Sequence, residues 1–120
     1  MTDLKKLGDW GENAAKKYLL SQGYKFLTSN YKVGCLELDL IFKKDKWLVF
    51  VEVKTRQRTT ENLKANPLPV WQTKNLKRAI LDYAAKNHVD LDTIRLDLII
   101  ILVDKQNRNA ELKHYPDILM

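Results

Sequence analysis

The sequence is short of several things, and each shortage removes a class of answer. It holds one cysteine, Cys35, among 120 residues. An internal disulfide is thereby excluded, and a reducing compartment is the natural setting. A lone thiol near a strand start suits packing better than nucleophilic attack. Glycine occurs four times and proline three times. No Gly/Ser linker, low-complexity tract or internal repeat divides the chain, so one domain over residues 1–120 is expected. The longest apolar run, Leu98 to Val103, is far too short to cross a bilayer. The opening MTDLKKLGDWGENAAKKY lacks the uninterrupted apolar core of a signal peptide. A cytoplasmic protein with no membrane partner is the expectation.

Acidic residues are also scarce in one window. From Lys54 to Arg78 a single acid, Glu61, faces seven bases: Lys54, Arg56, Arg58, Lys64, Lys74, Lys77 and Arg78. The whole net charge of +6 therefore resides there, and the rest of the chain balances. A concentrated basic region favours a polyanion, and nucleic acid is the commonest one for a soluble domain. A solvated basic surface with no ligand is the plainer alternative.

What is present reads as alternating elements. Leu4, Leu7, Gly11, Ala14, Ala15 and Tyr18 recur at helical spacing over residues 4 to 22, and Gly23 supplies a stop. Strands are expected over 24–31, 36–42 and 47–54, then a mobile loop over 55–69 rich in turn residues. A second helix follows over about 70–87, with Leu76, Ala79, Ile80, Tyr83 and Ala84 on its apolar face. RLDLIIILV, residues 95–103, is apolar and β-branched enough for a central strand reached by a parallel crossover. A short edge strand over 110–115 completes the order αβββαββ, an α/β domain with a mixed sheet flanked by helices.

The stretch LELDLIFKKDKWLVFVEVKTR, residues 36 to 56, sets a puzzle. Carboxylates are poor strand residues and are rarely buried unpaired, yet Glu37, Asp39 and Glu52 lie in the two most apolar strands. A hairpin loop of even length, with residue 42 opposite 47, places 39 opposite 50 and Glu37 opposite Glu52. Alternation then turns Glu37, Asp39, Glu52 and Lys54 to one side of the sheet. Two glutamates face to face repel unless a cation lies between them. Lys54 supplies one positive charge against three carboxylates, and a hard divalent ion would balance the rest. A solvent-facing salt-bridge ladder is the competing explanation. Glu12 flanks the apolar stripe of the first helix and is able to lean over the same sheet, or to remain an ordinary exposed glutamate.

These residues together resemble the signature of the restriction-endonuclease-like, or PD-(D/E)xK, nuclease superfamily: an acid on one strand, then (D/E)-x-K on the next. Here Leu38-Asp39 is followed after twelve residues by Glu52-Val53-Lys54. Within it the chain is most similar to the small bacterial YraN-like family, itself similar to archaeal Holliday-junction resolvases. The resemblance rests on Gly8-x-x-Gly11-Glu12-x-x-Ala15-x-x-Tyr18-Leu19, Gly23-Tyr24, Asn30, Glu37-Leu38-Asp39-Leu40-Ile41, Val49 to Lys54 with Arg56, Lys74, and Arg95-x-Asp97. Leu36 stands where the family has glycine.

The resemblance implies a restriction-endonuclease-like fold and a metal-dependent endonuclease that hydrolyses DNA phosphodiesters, at branched or damaged sites. Asp39, Glu52, Lys54 and Glu12 would be catalytic. Asp39, Glu52, the Val53 carbonyl and Glu12 would hold Mg²⁺ or Mn²⁺, with Glu37 behind them. Arg56, Arg58, Lys74, Lys77 and Arg78 would grip phosphates, which orients DNA without reading sequence. A homodimer follows by analogy with resolvases. A non-catalytic nucleic-acid-binding module, or a nuclease subunit needing a partner, are the alternatives. Asp97 pairs with Arg95 or joins the site, with the ion pair favoured. Trp71 stacks on a base or packs at a helix start, with packing favoured. His88 and His114 are assigned no chemistry.

Overall fold

The computed structural model describes residues 3–119. Helix α1 (Asp3–Ser21) leads into strands β1 (Lys25–Val33), β2 (Leu36–Lys44) and β3 (Trp47–Gln57). A short helix α2 (Thr60–Lys64) and the longer α3 (Val70–Lys86) cross over to β4 (Ile94–Asp104), and β5 (Asn109–Tyr115) closes the sheet. The five strands lie in the order β1-β2-β3-β4-β5. All neighbours are antiparallel except β3 and β4, which run parallel over ten residue pairs from Leu48↔Ile94 to Gln57↔Val103. The mixed sheet and its flanking helices match the order αβββαββ, with α2 as an addition.

Two cores follow from strand alternation. On one face Ala15 and Leu19 of α1 meet Leu40, Phe42, Val49, Val51, Ile99 and Ile101. On the other, Leu76, Ala79 and Ile80 of α3 meet Ile41, Leu48, Phe50 and Leu96. β3 is covered from both sides, which is why its sequence is almost continuously apolar. Gly11 is where α1 comes closest to the sheet. A Cβ there would fall on the Thr55 side chain, so only glycine permits the approach. Gly23 ends α1 with φ +88, a left-handed conformation that costs glycine little.

Three expectations are corrected. Residues 55–69 are not all loop. β3 continues to Gln57, Arg58 N–H donates to Val103 O at 2.8 Å, and Thr59 Oγ1 caps α2 by accepting from Asn62 N–H at 3.1 Å. Cys35 does not pack: it lies exposed in the turn after Gly34. The hairpin register is also displaced by two residues. Lys44 pairs with Trp47 and Leu40 with Val51, because the turn closes on Asp45 and Lys46, with Asp45 left-handed at φ 54. Glu37 is therefore not opposite Glu52. Continuing the observed register puts Asp39 there instead. An even shift preserves which residues share a face, so the charged set stays together.

Asp97 anchors a buried polar knot on the α1 face of the sheet and is fully buried. Arg95 grips it with Nε–Oδ1 and Nη2–Oδ2 contacts, both 2.9 Å, and also donates to the Tyr24 hydroxyl. His114 Nε2 lies 2.7 Å from Oδ2, and Asp117 N–H donates to Oδ1 at 3.0 Å. Burial raises the Asp97 pKa. The hydrogen bonds from His114, Arg95 and the Asp117 N–H outweigh that and hold it below the ordinary carboxylate range. The Arg95 pairing expected for Asp97 is present, whereas His114 has a structural role that sequence reasoning did not assign.

Candidate metal centre

The site begins where the central hairpin comes apart. β2 and β3 are paired from Lys44↔Trp47 as far as Leu40↔Val51. Beyond that point β2 stays with β1, down to Val33↔Leu36, while β3 stays with β4. In the opening, Val53 N–H donates not to a strand partner but to Asp39 Oδ2 at 3.0 Å. A carboxylate has taken the place of a backbone acceptor. In an extended strand the N–H and C=O of one residue point to the same side, so the Val53 carbonyl also faces this gap.

Side chains from both faces of the sheet converge on the fork. Glu12 enters from α1, and one oxygen each of Glu12, Glu37 and Asp39 lie within 4.8 Å of one another. Asn30 holds two of these glutamates in place. Its Nδ2 donates to Glu12 Oε1 at 3.1 Å and to Glu37 Oε1 at 2.9 Å. The residue is left-handed, φ 51, a conformation asparagine tolerates better than most. From the other side Glu52, only 6% exposed, accepts from Gln72 Nε2 of α3 at 3.0 Å. Lys54, 8% exposed, pairs with the same Glu52 Oε2 at 3.0 Å. Glu37, Asp39 and Glu52 line one cavity of about 210 Å³ between β2, β3 and α3.

The electrostatics show an uncompensated excess. Burial, then repulsion from Glu52, push the Asp39 carboxyl up to about 8; a hydrogen bond with Glu52 and the charge of Glu12 add to this. The Val53 N–H works in the opposite direction and does not restore the balance. Glu12 is raised as well, first by burial and then by Glu37, Asp9 and Glu52, against a lowering hydrogen bond from Asn30. Lys54 is one cation among four carboxylates. As built, the cluster either keeps a proton on Asp39 or takes up positive charge from outside.

Of the predicted site residues, Glu12, Glu37, Asp39, Glu52, Val53 and Lys54 are brought together. Glu37, expected behind the ligands, offers an oxygen within 4.8 Å of those of Glu12 and Asp39. The basic residues divide. Arg56 lines a second, 560 Å³ groove that also contains Glu12, Val53 and Thr55. Arg58 leans toward Glu111, 3.9 Å away on β5. Lys74 and Arg78 are exposed on α3. Lys77 lines an apolar cavity with Leu81 and Leu91, away from the carboxylates.

Sequence reasoning gave no role to two residues that shape the site. Gln72 carries no signal in the sequence, since tertiary packing alone brings α3 over β3. Asn30 had one signal, its place among the residues that carry the family resemblance.

Residues 11–101 match the model of the family described as Uncharacterised protein family UPF0102. A UPF0102 protein of Caldicellulosiruptor bescii is 32% identical over 117 residues, covering 96% of this chain and 98% of its own. One of Syntrophomonas wolfei is 38% identical over 100 residues, covering 83% and 87%. One of Shewanella sediminis is 39% identical over 94 residues, covering 78% and 80%. With a family model matched over most of its length and relatives alike almost end to end, the chain belongs to the UPF0102 family.

Proposed function

We propose that this protein is a divalent-metal-dependent endonuclease that hydrolyses DNA phosphodiester bonds, with the PD-(D/E)xK signature carried by Asp39, Glu52 and Lys54. One observation carries the reading. Four carboxylates and one buried lysine gather in the fork between β2 and β3, with the Asp39 carboxyl pushed up to about 8 first by burial and then by repulsion from Glu52. A surface ladder of exposed ion pairs has no reason to bury Glu52 and Lys54.

The donor set suits Mg²⁺ or Mn²⁺, being entirely hard oxygen. Asp39, Glu52 and the Val53 carbonyl would hold the ion, with Glu12 and Glu37 joining directly or through water. Such an ion supplies charge neutralisation at the phosphate and makes a nearby water more acidic. The remaining work falls to side chains. Asn30 and Gln72 keep Glu12, Glu37 and Glu52 aimed into the fork through the hydrogen bonds described above. Lys54, fixed by Glu52, orients the attacking water and stabilises the negative charge that develops on phosphorus oxygens. Arg56 and, on α3, Lys74 and Arg78 would hold flanking phosphates. A homodimer making paired cuts is proposed from the resemblance to resolvases, and a monomer in sedimentation at high concentration would remove it.

Cleavage decides the proposal. Labelled linear, flapped and four-way DNA are incubated with Mg²⁺ or Mn²⁺, beside identically purified Asp39→Ala and Lys54→Ala. Cutting that needs the ion and disappears in both variants is expected. A folded wild-type protein that binds DNA and cuts none of the three would leave a binding module.

A further inference from the structure

Trp71 is 66% exposed on the first turn of α3, yet it lines the same 210 Å³ cavity as Glu37, Asp39 and Glu52. The packing role expected for it does not hold, because a side chain left mostly in water keeps little of the benefit of burial. The next residue, Gln72, is tied to Glu52 by a 3.0 Å hydrogen bond, which anchors this turn of α3 beside the carboxylates. Asn75 follows one helical turn later on the same face and lines the same cavity, half-buried. An indole plate and a carboxamide thus form one wall, opposite the carboxylates.

We propose that Trp71 and Asn75 form a subsite for a single unpaired DNA base next to the phosphate to be cut, an inference that rests on the nuclease reading of the neighbouring carboxylates. The cavity lining contains no lysine or arginine, so it offers a second phosphate no cation of its own. A neutral base fits. Stacking on an aromatic ring is open to any base, and an asparagine amide offers both a donor and an acceptor to a base edge. The base is unpaired for a geometric reason. Within continuous duplex both of its faces are stacked on neighbours, leaving no face for the indole. The preferred DNA is therefore one with unpaired nucleotides beside the cut, as at a flap, a gap or a branch point.

The test measures binding as well as cutting. Anisotropy of a labelled 15-mer single strand, and of the same sequence as duplex, is followed in Ca²⁺ for wild type, Trp71→Ala, Trp71→Phe and Asn75→Ala. Single-strand affinity falls about tenfold in Trp71→Ala and recovers in Trp71→Phe. Asn75→Ala shows a smaller loss, and duplex affinity is unchanged throughout. Equal losses on both probes, or no loss on either, overturn the subsite. Cleavage in Mg²⁺ separates the two proposals. Wild type that cuts, with Trp71→Ala cutting flapped and linear DNA in the same ratio, refutes the subsite and leaves the nuclease. Wild type that cuts nothing but binds single strand through Trp71 refutes the nuclease, and with it the place beside a phosphate to be cut, and leaves a site for an unpaired base alone.

Discussion

Asp39 meets several demands at once: it accepts the Val53 N–H, faces Glu52, and shares space with Glu12 and Glu37. Its raised pKa has a definite consequence for stability. Between the ordinary aspartate value and about 8 the folded state keeps a proton that the unfolded chain has released, so the metal-free protein loses stability as pH rises through that window. A divalent ion must displace that proton at pH 6 but not at pH 9. The gain in melting temperature from Mn²⁺ is therefore expected to be larger at pH 9 than at pH 6. Asp39→Asn should remove both the pH slope and the gain, and thermal melts across pH 5–9 check it. Lys54 gives the complementary case. Removing it leaves Glu52 buried beside one amide, so Lys54→Ala should cost about 3 kcal/mol in denaturant unfolding, and adding Glu52→Gln should recover part of the loss. Asp97 acts at the other end of the pH scale. Its pKa is depressed, so its contribution is present above the ordinary aspartate range and is lost as pH falls through the folded value.

At the scale of elements, the contact between α1 and β3 decides whether Glu12 reaches the fork. Gly11→Ala forces α1 away from Thr55 and should cost about 1–3 kcal/mol by urea unfolding. Thr55→Ala should rescue only part of that, because the Thr55 Cβ would still lie 2.8 Å from the new methyl group. Much of this level was legible in the sequence. The hairpin strands and the buried β4 follow from their apolar runs, and the shared face of Glu37, Asp39, Glu52 and Lys54 follows from period-two alternation. The register did not follow, because two even turns satisfy the same alternation and only the left-handed Asp45 selects between them. Helix α2 was hidden among turn-forming residues, its one clue being Thr59 as a cap. Gln72 was beyond reach, and base stacking by Trp71 was weighed but ranked below packing, for another reason. Their roles depend on where α3 lands on the sheet, which no local pattern encodes.

For the whole molecule, the basic excess is less concentrated in space than in sequence. Arg56 borders the groove that runs on from the carboxylates, Arg58 is partly answered by Glu111, and Lys77 faces elsewhere. DNA affinity should fall steeply with salt. Arg56→Ala should lower the slope of log K against log salt by about one, while Lys77→Ala leaves it unchanged. Salt titrations of anisotropy on one duplex distinguish the two. Polar and charged side chains from both faces meet at the fork only because β2 and β3 separate after Leu40 and Val51. That separation, with the carboxylate excess inside it, is the feature on which the proposed function depends. Its most direct test is a Mn²⁺ titration at pH 8, read by the loss of the free-ion paramagnetic resonance signal, on wild type and Asp39→Asn. Saturable binding by wild type, abolished or greatly weakened in Asp39→Asn, is the predicted result. No saturable binding up to millimolar Mn²⁺, or binding indifferent to Asp39, would contradict a metal centre at the fork.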